Sequence, residues 1–210
     1  QQEVLGLEVA MDNPPGVGIV EGVAQFREEA QRPFQGGRSL AEESSKDGDG
    51  VAESAALNTL GVVMARRQRD REAGDAWKRC EAAARATGDR RTAAAALNNL
   101  GLLAMRRSAL EEARGLYEES MTLEKAVGNR PGVIVSLTNL AEVQWRLQTE
   151  AAAVATYHEA IRLSREIGLV YGLRICLNNL ANIHARGCRY REALETYNQA
   201  LSLRREMGDR

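Results

Sequence analysis

Apolar residues recur along most of this chain at spacings of three and four, the period of one buried helical face. Two such runs, roughly 91–107 and 110–127, are separated by a short polar break, which predicts two helices joined by a tight turn. The pair returns every 40 residues. Leu57, Leu97, Leu137 and Leu177 share one register, and Leu60, Leu100, Leu140 and Leu180 follow three residues later. Gly61, Gly101, Ala141 and Ala181 come next, then Ala73, Ala113, Ala153 and Ala193. Each of those alanines is followed four residues on by an aromatic: Trp77, Tyr117, Tyr157, Tyr197. Gly88, Gly128, Gly168 and Gly208 close the units. Small residues at Gly101 and Ala113 let two helices approach, with Tyr117 filling the space beside them. Gly128 suits a left-handed residue past a helix end, and Pro131 suits the first turn of the next helix. A lone hairpin of this kind cannot cover its apolar face, so the expected fold is all-α, an α-solenoid of tandem antiparallel helix hairpins. Four units are expected, about 51–90, 91–130, 131–170 and 171–210.

Residues 1–50 fit that pattern poorly. They hold Pro14, Pro15, Pro33 and eight glycines, which disfavour regular helices. Yet Arg27–Phe34, "REEAQRPF", is similar to Leu110–Tyr117, "LEEARGLY", and suggests an eroded earlier repeat. Ser39–Glu42, "SLAE", has the form of a capping box and predicts a short helix ending near Asp47-Gly48. The segment is expected to be a degenerate helical hairpin. The first residue is not Met and the last unit stops without a polar capping helix. The first suggests a fragment or a processed chain, and the second favours a piece of a longer protein or an end that docks onto another copy.

The repeating columns resemble the tetratricopeptide repeat. Leu97, Leu100 and Gly101 look like its first-helix signature, and Ala113, Tyr117 and Ser120 like its second. The 40-residue period exceeds the usual 34 and is similar to the long-helix subgroup of kinesin light chains, Pins-type adaptors and bacterial regulators. Asp70 and Glu150 depart from the pattern, standing where a bulky apolar residue is usual, so looser turns are expected there.

A second stripe runs beside the apolar one on each leading helix. Asn58, Asn98, Thr138 and Asn178 form one column, and Thr59, Asn99, Asn139 and Asn179 the next. Ala65, Met105, Trp145 and Ala185 lie further along, followed by Arg66, Arg106, Arg146 and Arg186, an arginine in every unit. In tetratricopeptide arrays the leading helices line the concave surface, so the resemblance implies that this stripe faces a groove. An asparagine amide offers a donor and an acceptor together, the combination that suits an extended peptide backbone. An arginine row favours carboxylates or phosphates, while Met105 and Trp145 offer adaptable apolar contact. The resemblance implies the same ligand, an extended acidic segment of a protein partner. The competing reading is structural: the amides bond neighbouring helices and set the superhelical pitch, and the arginines pair with residues such as Glu142.

Charge sharpens the picture. Residues 1–50 carry a balance of −6 and the remainder +5, so the acidic start is a candidate occupant of a basic groove in its own or a neighbouring chain. Nucleic acid fits less well, because that excess is modest and aromatics make up 4% of the chain. Cys80, Cys176 and Cys188 lack paired spacing and suit packing in a reducing compartment. His158 and His184 stand in no metal-site pattern, and His184 matches the core position of Ala104. No nucleophile elbow or phosphate-cradling loop is present, so neither catalysis nor a cofactor is expected. No apolar run reaches the length of a membrane span and no secretory signal opens the chain, so a cytoplasmic protein is expected. The leading expectation is an adaptor or sensor domain. Its alternatives are self-assembly through the terminal repeats, or a regulatory part of a larger enzyme or transcription factor.

Overall fold

The computed structural model describes residues 45–206. They form a stack of helices with no strand among the described residues: α1 (Ser45–Arg66), α2 (Asp70–Ala86), α3 (Arg90–Arg106), α4 (Leu110–Ala126), α5 (Arg130–Arg146), α6 (Glu150–Glu166), α7 (Val170–Arg186) and α8 (Tyr190–Glu206). The expectations for residues 1–44 and for Gly208 lie outside the described residues. From α2 onward every helix has 17 residues. With the short turns between them, two helices fill the 40-residue period seen in the sequence.

The same turn is used throughout. Past each helix end one residue is left-handed: Gly88, Gly128 and Gly168 between hairpins, at φ 68 to 73°, and Gln68, Ser108, Gln148 and Cys188 within them, at φ 58 to 60°. Its N–H bonds back three residues and the following N–H bonds back five, as in Ser108 N to Met105 O (3.1 Å) and Ala109 N to Ala104 O (2.9 Å). Two otherwise orphaned carbonyls are thereby satisfied. The next helix then starts at once, with Asp89 accepting from Thr92 N (3.0 Å) and Asn129 from Gly132 N (3.4 Å). The looser turns expected at Asp70 and Glu150 are not found. Arg69 N to Met64 O and Thr149 N to Gln144 O are both 2.9 Å, the same as in the apolar turn. The carboxylates point across to the next unit, where Asp70 meets Arg106 at 3.0 Å and Glu150 meets Arg189.

The expected break near Asp47-Gly48 is also absent, since α1 begins at Ser45 and runs through it. Gly50 serves a close approach rather than a stop: a Cβ there would lie 2.6 Å from Thr87 Cγ2 at the end of α2.

Packing follows the repeated columns. A Cβ on Gly61 would lie 2.4 Å from Trp77 Nε1, and one on Gly101 2.6 Å from Tyr117 Cε1, so the glycines admit the aromatic rings. Each ring also reaches the next hairpin. Ala73 and Trp77 cluster with Leu103, and Ala113 and Tyr117 with Leu140 and Val143. Every helix packs on its neighbours in the chain, and successive leading helices α1, α3, α5 and α7 also touch. Successive second helices stand further apart and are bridged by long side chains, Arg85 pairing with Glu119 and Arg165 donating to Gln199 Oε1 at 3.3 Å. The stack is therefore narrower on its leading-helix side, which is the inner side of its curve.

A left-handed conformation costs a residue with a Cβ about 1–2 kcal/mol, a strain glycine escapes. Ser108→Gly is expected to raise the unfolding free energy by up to about 1 kcal/mol in urea titrations, whereas Gly128→Ala lowers it by a similar amount.

Candidate functional site

The asparagine columns lie along the contacts between leading helices. Asn99 Nδ2 donates to Asn58 Oδ1 at 3.1 Å, and Asn139 Nδ2 donates to Asn98 Oδ1 at 2.7 Å. Each bond joins residues 41 apart, so one column supplies the donor and its neighbour in the preceding unit the acceptor. Asn98 Nδ2 also reaches Ser136 Oγ (3.4 Å), which shares a 3.1 Å contact with Ser120 Oγ. Asn98, Asn99 and Asn139 are buried, Asn58 is half-buried, and their amides bond one another. This is the pitch-setting arrangement named above as the alternative to ligand contact.

The third rung is different. Thr138 occupies the acceptor column, and its hydroxyl donates to Ile134 O (2.7 Å) with Cys176 Sγ at 3.2 Å. The matching donor, Asn179 Nδ2, is buried without a hydrogen-bond partner, as is the Tyr157 hydroxyl. The two groups lie beside each other without forming a well-aligned bond, and burial pushes the Tyr157 hydroxyl well above its usual range. Asn178 is exposed, because no further leading helix follows it among the described residues.

The arginine column lines the ends of the leading helices, where a cation complements the helix dipole. Arg106 pairs with Asp70 at 3.0 Å and Arg146 with Glu142 at 2.8 Å. Arg66 and Arg186 are exposed and have no acidic partner among the described residues. Trp145 is half-buried. Met105, expected to offer apolar contact to a ligand, is instead buried with Leu140 and Val143 in the joint between the second and third hairpins.

Cys80 and Cys176 are buried, as packing residues should be, and burial pushes the Cys176 thiol up to about 12. Cys188 departs from that expectation, being exposed at a left-handed turn position with no core to fill. His184 is half-buried, and its Nδ1 accepts from Arg189 Nε at 3.0 Å. The described residues hold no group of side chains suited to a metal ion, and no helix among them is long and apolar enough to cross a membrane.

Sequence models of the tetratricopeptide repeat match residues 91–166 and 176–207, together just over half of the chain. This chain is a tetratricopeptide-repeat protein. No curated protein matches it. Its fold is similar to aspartyl phosphate phosphatase F from Bacillus subtilis, with a TM-score of 0.72 at 11% identity, over 77% of this chain and 42% of that one. The apo form of RapI superposes with a TM-score of 0.70 at 12% identity, over 91% of this chain and 66% of that one. BtubC (BKLC) from P. vanneervenii gives 0.68 at 15% identity, over 92% and 76%. Identities this low carry the fold alone. This chain spans less than two thirds of the first two of these structures. As a tetratricopeptide array it is a helical-repeat module for contact with other proteins.

Two outcomes are expected. Asn98→Ala strands the buried Asn139 amide and is expected to cost about 1–3 kcal/mol of stability in urea, against under about 0.5 kcal/mol for Asn178→Ala. Burial, aided by Arg189, lowers the pKa of His184 from the ordinary 6.5, so the folded state binds protons less readily than the unfolded one. Its contribution is complete above that ordinary value and is lost as pH falls through the lowered one. Melting temperature is expected to fall on acidification from about pH 7.5 to about pH 5, and to fall less in His184→Asn.

Proposed function

We propose that the leading-helix groove binds an extended acidic segment of a protein partner without catalysis, as the adaptor or sensor part of a larger protein. The observation that carries this reading is the interrupted amide ladder between α5 and α7. The Asn179 amide meets only the poorly aligned Tyr157 hydroxyl, which leaves roughly 1–3 kcal/mol of polar stabilisation unrealised that a peptide carbonyl recovers when the half-buried Asn179 side chain turns to the groove. The roles of the asparagines divide accordingly. Asn58, Asn98, Asn99 and Asn139 hold the leading helices at the spacing a groove needs, while Asn178 and Asn179 meet the ligand. Arg186 and Arg66 supply unpaired positive charge. Arg106 and Arg146 supply more by exchanging Asp70 and Glu142 for ligand carboxylates, one charge-assisted pair replacing another. Half-buried Trp145 gives a flat apolar contact beside them.

Fluorescence anisotropy with a labelled, extended Glu/Asp-rich peptide tests this. Arg146→Glu combined with Arg186→Glu is expected to weaken binding at least about tenfold, and Asn179→Ala to weaken it less, with the helical circular dichroism signal retained at the assay temperature. Lys125→Glu, at the opposite edge of the hairpins, is the control. Equal affinity in all the variants would remove the groove as the site.

A further inference from the structure

The first two hairpins share a buried bond that the third lacks. In the first, Cys80 on α2 donates to Ser54 O on α1 (3.1 Å), and in the second, Ser120 on α4 donates to Ala94 O on α3 (2.9 Å). In both, the second helix supplies the donor. The asparagines of the acceptor column, Asn58 and Asn98, keep their amide oxygens for the rungs to Asn99 and Asn139.

Ala160 on α6 stands in register with Cys80 and Ser120, is fully buried, and has no donor to give. Ile134 O, in register with Ser54 O and Ala94 O, takes its extra bond from the Thr138 hydroxyl instead (2.7 Å). That hydroxyl is turned back along its own helix, with Cys176 Sγ 3.2 Å away. An asparagine amide oxygen stands one bond further from the backbone than a threonine hydroxyl. At this position it would reach toward the Asn179 Nδ2 that Thr138 leaves without an aligned partner.

We propose that Thr138 is a positioning residue that fixes where the groove holds its ligand. It withholds the rung acceptor, keeps the Asn179 amide for a peptide carbonyl, and thereby lowers the stability of its own joint. The ligand is anchored between α5 and α7, the helices that Arg146 and Arg186 close. Thr138 has this role only if the groove takes the acidic segment proposed above, and it ties stability to affinity with opposite sign.

Thr138→Asn supplies the missing acceptor in the 210-residue chain. It is expected to raise the urea midpoint and to weaken binding of the same labelled Glu/Asp-rich peptide about tenfold. Thr138→Val keeps the shape and leaves Asn179 unanswered, so its affinity stays within about twofold of the unmodified chain. Should asparagine be too large there, Thr138→Asn with Ala160→Ser and Cys176→Ser copies Asn98, Ser120 and Ser136 as a set and carries the same expectations. Undiminished binding or an unraised midpoint in both asparagine variants, or lost binding in Thr138→Val, overturns the role of Thr138. The groove itself survives those results if Arg146→Glu with Arg186→Glu still weakens binding. A peptide that the unmodified chain does not bind, or that this charge reversal leaves bound, removes the groove and the role of Thr138 together.

Discussion

The second helices α2, α4 and α6 are each packed between two leading helices, their own and the next, and their alanine–aromatic stripe is buried by both. Trp77 illustrates the constraint. The ring lies in the space opened by Gly61 within its hairpin and meets Leu103 of the hairpin that follows. Neither contact alone removes a large ring from water, so a hairpin is stable only with a neighbour. The free energy of the array resides in its joints, and each joint needs a leading helix on one side and a second helix on the other.

Close contact between leading helices then imposes a polar problem. Helices this near to one another bury whatever side chains lie between them, and here those are amides. Asparagine solves it by giving each rung a donor and an acceptor, which two identical hydrocarbon side chains could not do directionally. The rungs fix the relative height of adjacent helices, because a slip of one residue would break every bond. Thr138 interrupts the ladder by turning its hydroxyl to its own helix, leaving Asn179 unanswered. A buried polar group without a partner is costly, and in an array whose other rungs close, the open one marks where an external acceptor gains most.

Electrostatics act along the inner edge and at its ends. An arginine closes every leading helix, where it suits the helix dipole regardless of any ligand. Its partners vary. Arg106 and Arg146 find carboxylates, one across a joint and one on the same helix, while Arg66 and Arg186 do not. Asp70 and Glu150, out of place as apolar turn residues, become the acids that tie one hairpin's turn to the next hairpin. The inner edge thus offers a polar, cationic surface.

Much of this architecture was legible in the sequence, because periodicity and glycine placement are local. Leucines three and four apart specify helices, columns at 40 specify the repeat, and Gly88, Gly128 and Gly168 announce left-handed turns. The left-handed residues Gln68, Ser108, Gln148 and Cys188 were not legible, since their conformation comes from the turn that packing demands rather than from any preference of theirs. Asp47-Gly48 reads as a helix stop yet lies inside a helix, and Gly50 just beyond it packs against Thr87. The asparagine columns were visible as columns, but the sequence left open whether they face a ligand or each other. That choice belonged to the tertiary structure. A hydrogen bond between residues 41 apart depends on how far one leading helix stands from the next, and that distance is set by aromatic rings on other helices.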